Sequence, residues 1–201
     1  MRKIVAFMHV SLDGFVAGTN GELNWVNLDN ELFAFAGARI AKTDTALYGR
    51  LTYQMMEAYW PTAADKPNPS NHDIEHSKWY KKVNKIVLSK TLDEKKLVNT
   101  KVIGNNLDQE IVDLKNTSGS EILLFGSPTA THSLMAEDLI DEYWLFVNPV
   151  LLSEGIPLFS KIKNRHALTY ISSKVFPSGV VCLHYRCNSK SNAKQVAETA
   201  A

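Results

Sequence analysis

Three places in the chain join a strand-like run to a turn and to groups that can hold an anion. In Leu123-Leu124-Phe125-Gly126-Ser127-Pro128-Thr129-Ala130-Thr131 an apolar run meets a glycine and then a helix start. Ser127 suits the N-cap and Pro128 the first helical position. The unpaired amides and positive end of such a helix attract an anion, and Gly126 lets the backbone approach it closely. Plain helix capping is the competing explanation. In Ala46-Leu47-Tyr48-Gly49-Arg50-Leu51-Thr52-Tyr53 a second strand feeds a glycine turn, with Gly49 and Thr52 beside the planar cation of Arg50. Arginine suits phosphate and flat rings, but a surface arginine fits the pattern equally. In Ile86-Val87-Leu88-Ser89-Lys90-Thr91 hydroxyls flank a lysine, donors suited to a phosphate monoester. An ordinary strand-to-loop passage would look the same.

Together the three segments say more. Each lies where a strand of parallel type ends, the edge at which open α/β sheets bind ligands. They can face one elongated anion, and a dinucleotide with a 2′-phosphate has that shape and charge. The G-x-G-x-x-G motif after the first strand is absent, so this is not a standard dinucleotide-binding fold of that type.

Other chemistries find less support. His9, His72, His76, His132, His166 and His184 are scattered. His72 and His76 share a helical spacing but lack a third ligand for zinc. No Gly-x-Ser-x-Gly elbow occurs. Cys182 and Cys187 lie five apart in one strand-like run, about 16 Å, with side chains on opposite faces. They cannot pair there, which fits a reducing compartment.

The elements that must position these residues alternate. Strands are predicted over Ile4–Val10, Thr45–Gly49, Lys85–Ser89, Val102–Ile103, Glu121–Phe125 and Tyr143–Val150. Helices are predicted over Asn30–Lys42, Leu51–Ala58, Leu107–Lys115 and Pro128–Leu139. Trp60–Ser77, with Pro61, Pro67 and Pro69, reads as a long loop. Leu168–Lys174 and Gly179–Arg186 are joined through Pro177-Ser178-Gly179 too tightly for a crossover, so they should be antiparallel. The pattern predicts an α/β fold: a mixed, mostly parallel sheet with an antiparallel C-terminal edge and helices on both faces.

The 201 residues suffice for one sizeable core, here assigned to a single domain over 1–187, with a polar tail over 188–201. A hydrophobic content of 45% argues against disorder. A net charge of +1 and no basic patch argue against nucleic acid; the lysines at 81, 82 and 85 read as a solvated helix face. No run approaches the roughly 20 apolar residues of a membrane span, and the N-terminal run reads as a buried strand rather than a signal. A cytoplasmic location is expected.

Ser11-Leu12-Asp13-Gly14-Phe15-Val16-Ala17-Gly18 and Gly21-Glu22-Leu23-Asn24-Trp25 resemble the opening of the reductase domain of the riboflavin-biosynthesis deaminase-reductase. Tyr48-Gly49-Arg50-Leu51-Thr52 is similar to the glycine-arginine turn of dihydrofolate reductase. Leu139–Tyr143, Asn148–Leu152 and Gly155–Phe159 are similar to late segments of the same reductase family, so the likeness runs from about Arg2 to Tyr185. It is closest to stand-alone members without a deaminase domain. The resemblance implies a dihydrofolate-reductase-like three-layer fold and NADPH-dependent hydride transfer to a small heterocyclic or carbonyl substrate, commonly in a homodimer. It implies that Gly126, Ser127, Pro128, Thr129 and Thr131 hold the diphosphate. Gly49, Arg50 and Thr52 would border the adenosine, and Ser89 and Lys90 the 2′-phosphate. Ala17 and Trp25 would border the nicotinamide, and Arg39 fits a substrate-side arginine.

The departures fall on the substrate side. Where dihydrofolate reductase carries an acidic residue on its first long helix, Phe33 stands here, which argues against folate reduction. Leu23 and Leu124-Phe125 replace a serine and an acidic residue of the riboflavin enzyme. Asp13 is the nearest acid, but it reads better as the carboxylate of the Asp13-Gly14 turn. Three alternatives follow: the ribosylamino-pyrimidine reduction of riboflavin synthesis, folate reduction, and a non-catalytic NADPH-binding module.

Overall fold

A computed structural model describes residues 1–160, 162 and 165–188. The strands are β1 (Ile4–Ser11), β2 (Phe15–Ala17), β3 (Thr45–Gly49), β4 (Asn84–Leu88), β5 (Thr100–Ile103), β6 (Ile122–Phe125), β7 (Glu142–Asn148), β8 (Ile156–Pro157), β9 (Leu168–Val175) and β10 (Val181–Cys187). The helices are α1 (Asn30–Ile40), α2 (Arg50–Tyr59), α3 (Asn71–Lys82), α4 (Leu107–Asn116) and α5 (Pro128–Ala136). Eight strands form one sheet in the order β5-β4-β3-β6-β1-β7-β10-β9, and β2 and β8 form a separate ribbon. The first six strands of that order are parallel; β10 runs antiparallel to β7 and to β9.

The pleat explains the layers. Along β1, Ile4, Ala6, Met8 and Val10 enter one buried cluster, with Leu134 of α5 and Ile111 of α4. Val5 and Phe7 enter the other, with Leu32, Ala36 and Ile40 of α1 and Tyr80 of α3. A parallel strand covered by helices on both faces reads as a near-continuous apolar run, as β1 does from Ile4 to Met8. The expected three-layer α/β architecture with its antiparallel edge is therefore present. Cys182 and Cys187 lie on opposite faces as free thiols. Burial pushes the Cys182 thiol up to about 12.

The segment expected as a loop over Trp60–Ser77 is mostly ordered helix. A 3-10 turn spans Trp60–Asp65, and α3 begins at Asn71. A capping box starts α3: Asp73 N–H donates to the Ser70 hydroxyl at 3.1 Å, and Ser70 N–H donates to the Asp73 carboxylate at 3.0 Å. The prolines all precede this cap. The inward face carries His76, Ser77 and Tyr80, so it lacks an apolar stripe. Lys81 and Lys82 at its end are exposed, whereas Lys85 lies buried in β4 over the Tyr80 ring. The tail expected over 188–201 lies, apart from Asn188, outside the described residues.

Candidate functional site

A cleft of about 1250 Å³ runs along the carboxyl ends of β5, β4, β3, β6 and β1. Among the described residues lining it, the charged side chains are Arg50 and Lys90, and there is no carboxylate. Both cations belong to one end, where the strand-end turns gather: Gly49–Thr52 after β3, Ser89–Thr91 after β4, and Gly126–Ala130 after β6. Gly104-Asn105-Asn106, after β5, makes a fourth turn of the same kind.

Backbone conformation explains how these turns stay open. Gly126 and Ser127 both take left-handed φ, +51° and +59°. That conformation is routine for glycine and costs a serine free energy. Ser127 occupies the N-cap position of α5, but contrary to expectation its side chain does not cap that helix. Its hydroxyl instead accepts the backbone N–H of Gly49 at 2.8 Å. The first-turn amides of Thr129 and Ala130 therefore lack a side-chain cap and, by position, an intrahelical acceptor. A Cβ on Gly49 would sit 3.3 Å from the Ser127 hydroxyl oxygen, so the two turns touch. Ser89 is similarly committed: its hydroxyl oxygen accepts the N–H groups of Thr91 and Leu92 at 3.2 and 3.1 Å, leaving its proton to donate.

The other end is apolar and aromatic. Phe33 of α1 stacks on His72 with ring centroids 4.3 Å apart, and Trp60 lies 3.9 Å from His76. Met55, Met56, Phe125 and Phe146 complete the walls. Burial disfavours the charged form of the imidazoles here. Burial lowers His9 from 6.5 to about 4 and His76 to about 3, and it lowers His72 as well. Among the described residues no three His, Cys, Asp or Glu side chains gather as a metal site.

The cleft includes Ala17, Gly49, Arg50, Thr52, Ser89, Lys90, Gly126, Ser127, Pro128 and Thr129 of the residues expected from the sequence. Three others lie elsewhere. Thr131 is fully buried, and its hydroxyl donates to the Ser127 carbonyl at 3.1 Å, so it braces the turn from behind. Trp25 is spent on its own loop, its indole N–H donating to the Glu22 carbonyl at 3.1 Å, while Leu23 and Val26 reach the cleft. Arg39 is the clearest correction. It pairs with Glu121 at 2.6 Å and lies 3.8 Å over the Trp144 ring, toward the amino ends of β6 and β7. That is the opposite edge of the sheet, and Arg39 does not line the cleft. On α1 it is the pairing with Glu121 and the packing on Trp144 that hold its side chain off the cleft.

Asp13 behaves as a turn carboxylate. It accepts the Ser11 hydroxyl at 2.7 Å and the N–H groups of Leu152 and Ser153, and these bonds hold it below the usual carboxylate range. The cleft also contains residues that sequence reasoning missed. The Gly104–Asn106 turn repeats the strand–turn–helix signal of the other three. His9 carried no local signal, because a histidine late in a buried strand shows its partner only after Asn148 folds beside it.

Comparison with known proteins agrees with this architecture. The family model of the RibD C-terminal domain matches residues 2–182. An uncharacterized protein of Bacillus subtilis (strain 168), YyaP, is 33% identical over 189 residues, 93% of this chain and 96% of that protein. A solved structure from Shewanella sp. PV-4, assigned by likeness to riboflavin biosynthesis, superposes with a TM-score of 0.67 at 25% identity, over 94% of this chain and all of that one. The diaminohydroxyphosphoribosylaminopyrimidine deaminase/5-amino-6-(5-phosphoribosylamino)uracil reductase of Thermotoga maritima superposes with a TM-score of 0.64 at 12% identity. That likeness concerns the fold alone, and the match covers 93% of this chain and 57% of that longer one. A family match over nearly the whole length, on a mostly parallel sheet with an antiparallel edge, has one consequence: the chain belongs to the RibD C-terminal domain family, a family of dihydrofolate-reductase-like reductase domains.

Proposed function

We propose that the protein is an NADPH-dependent reductase, one catalytic unit over residues 1–187, acting as a homodimer in the cytoplasm on a small heterocyclic or carbonyl substrate. The observation that carries this reading is the division of charge in the cleft. Both lining cations and four strand-end turns share one end, and no carboxylate among the described residues opposes an anion there. The residues present therefore fit a phosphorylated dinucleotide. The amides of Thr129 and Ala130, with the turn at Gly126-Ser127-Pro128, would hold the diphosphate. Gly49, Arg50 and Thr52 would border the adenosine, and the Ser89 hydroxyl with Lys90 would bind the 2′-phosphate. Ala17 would border the nicotinamide. When bound, the cofactor supplies the hydride; the protein places it and excludes water.

The test is titration with NADPH and NADH, followed by cofactor fluorescence. Tighter NADPH binding is expected. No binding of either at millimolar concentration refutes the reading, and equal binding removes the role given to Ser89 and Lys90. The edge strand β9 leaves Tyr170 and Val175 exposed, a surface suited to a second copy, and sedimentation equilibrium tests the dimer.

The name of the Thermotoga enzyme carries a second reading, reduction of 5-amino-6-(5-phosphoribosylamino)uracil. The phosphate of that molecule needs a cation, and the apolar end of the cleft has none among the described residues. Turnover of that compound is therefore expected to be absent, and an activity assay decides it.

A further inference from the structure

We propose that the uncharged end of the cleft takes a flat, neutral, apolar ring compound with one hydrogen-bond acceptor, and that His9 donates to that acceptor through Nε2. This names the substrate class of the reductase site and rests on that reading for its catalytic meaning.

The argument begins at Asn148, which is fully buried. Its carbonyl oxygen accepts the Asn27 N–H at 2.8 Å, and its amide nitrogen donates to the Phe146 carbonyl at 2.9 Å. Those two partners settle which way the amide points. The same nitrogen lies 3.2 Å from His9 Nδ1 and 3.4 Å from the Val10 carbonyl; an amide nitrogen donates and does not accept, so Nδ1 faces it as the acceptor. Burial keeps the ring neutral, so its single proton is on Nε2. Nε2 has no hydrogen-bond partner among the described residues, and His9 lines the cleft, stacked on Phe146 with centroids 5.1 Å apart. The donor is therefore fixed in tautomer and in ring plane before any ligand arrives.

The surroundings limit what it can meet. Phe33, Trp60, Met55 and Phe146 offer ring faces and thioethers, which pack on flat apolar molecules. No ionised side chain among the described residues stands at this end, so a charged ligand would lose its hydration without compensation. The buried Nε2 of His76, without a hydrogen-bond partner among the described residues, adds a second weak polar point and no charge.

The experiment measures binding of three probes to the full chain by calorimetry, with and without saturating NADPH: 2-acetylnaphthalene, naphthalene and 2-naphthoate. The neutral ketone is expected to bind at least about tenfold tighter than the carboxylate. His9→Ala is expected to weaken the ketone by about three- to tenfold while leaving naphthalene within about twofold. Phe33→Arg, on a half-exposed helix position, is expected to reverse the order of ketone and carboxylate and does not depend on the His9 variant folding. Equal or tighter binding of 2-naphthoate to the unaltered protein overturns the proposal, as does equal weakening of ketone and naphthalene by His9→Ala, or failure of all three probes to bind. If NADPH binds and the ring compounds do not, this proposal falls and the reductase reading stands. If the ring compounds bind and NADPH does not, the reverse holds.

Discussion

The hydroxyl of Ser127 accepts the backbone N–H of Gly49 at 2.8 Å, joining two turns that lie 78 positions apart in sequence. Ser127 makes this bond from a left-handed conformation, at φ +59°. Ser127→Ala keeps the strain and loses the bond, with an expected cost of about 1–2 kcal/mol in urea unfolding. Ser127→Gly loses the same bond but relieves the strain, so it should cost about 1 kcal/mol less. An equal loss in both variants would show that the backbone conformation carries no penalty.

Arg50 and Lys90 should separate in nucleotide titrations. Arg50→Ala is expected to weaken NADPH and NADH alike, by about tenfold, the worth of one lost charge-assisted bond. Lys90→Ala is expected to weaken NADPH by a similar factor and leave NADH unchanged. Both cations are exposed, so added salt should shrink the effects.

Acid should destabilise the fold through its neutral imidazoles. Burial lowers His9 from 6.5 to about 4 and His76 from 6.5 to about 3. The unfolded chain therefore takes up these protons first as pH falls. Stability from each group is whole above about pH 6.5 and is lost progressively down to the folded value, at up to about 1.4 kcal/mol per pH unit per group. Urea midpoints measured between pH 7.5 and about pH 4.5 should decline, and His76→Phe should flatten that decline by up to one proton. An unchanged slope in His76→Phe would refute the assignment.

Arg39 should matter for stability and not for ligand. Arg39→Ala removes the ion pair with Glu121 and the packing on Trp144, and leaves a half-buried carboxylate alone. A loss of about 2–3 kcal/mol is expected, with NADPH affinity unchanged. Arg39→Lys should recover little of it, because an ammonium lacks the planar face that lies on the indole. A selective loss of ligand binding would restore Arg39 to the site.

The strand ends were readable from sequence because each is a local event: an apolar run, a turning residue, a helix start. That is why Gly49, Ser89 and Gly126 were found. Thr131 was placed in the site by family resemblance, and the structure puts it behind the turn. Helix α3 escaped notice because its buried face is built of His76, Ser77 and Tyr80, so hydrophobic periodicity carried no message there. Its start was written in Ser70 and Asp73, which the prolines nearby obscured. His9 was invisible for another reason. Its partner Asn148 is 139 positions away, and only the parallel pairing of β1 with β7 brings them together. Arg39 shows the converse case, a family-based role at a side chain that Glu121 and Trp144 hold outside the cleft.

The confinement of both cations to one end of the cleft has an evolutionary consequence. In the proposed reading the grip on a phosphorylated ligand would be made by backbone amides and a few residues at strand ends, while much of the opposite wall is side chains of α1, α2 and α3. Substitutions at Phe33, Met55 or His72 can change which partner molecule is accepted without touching that grip. Such a scaffold can diversify after gene duplication by altering one wall at a time.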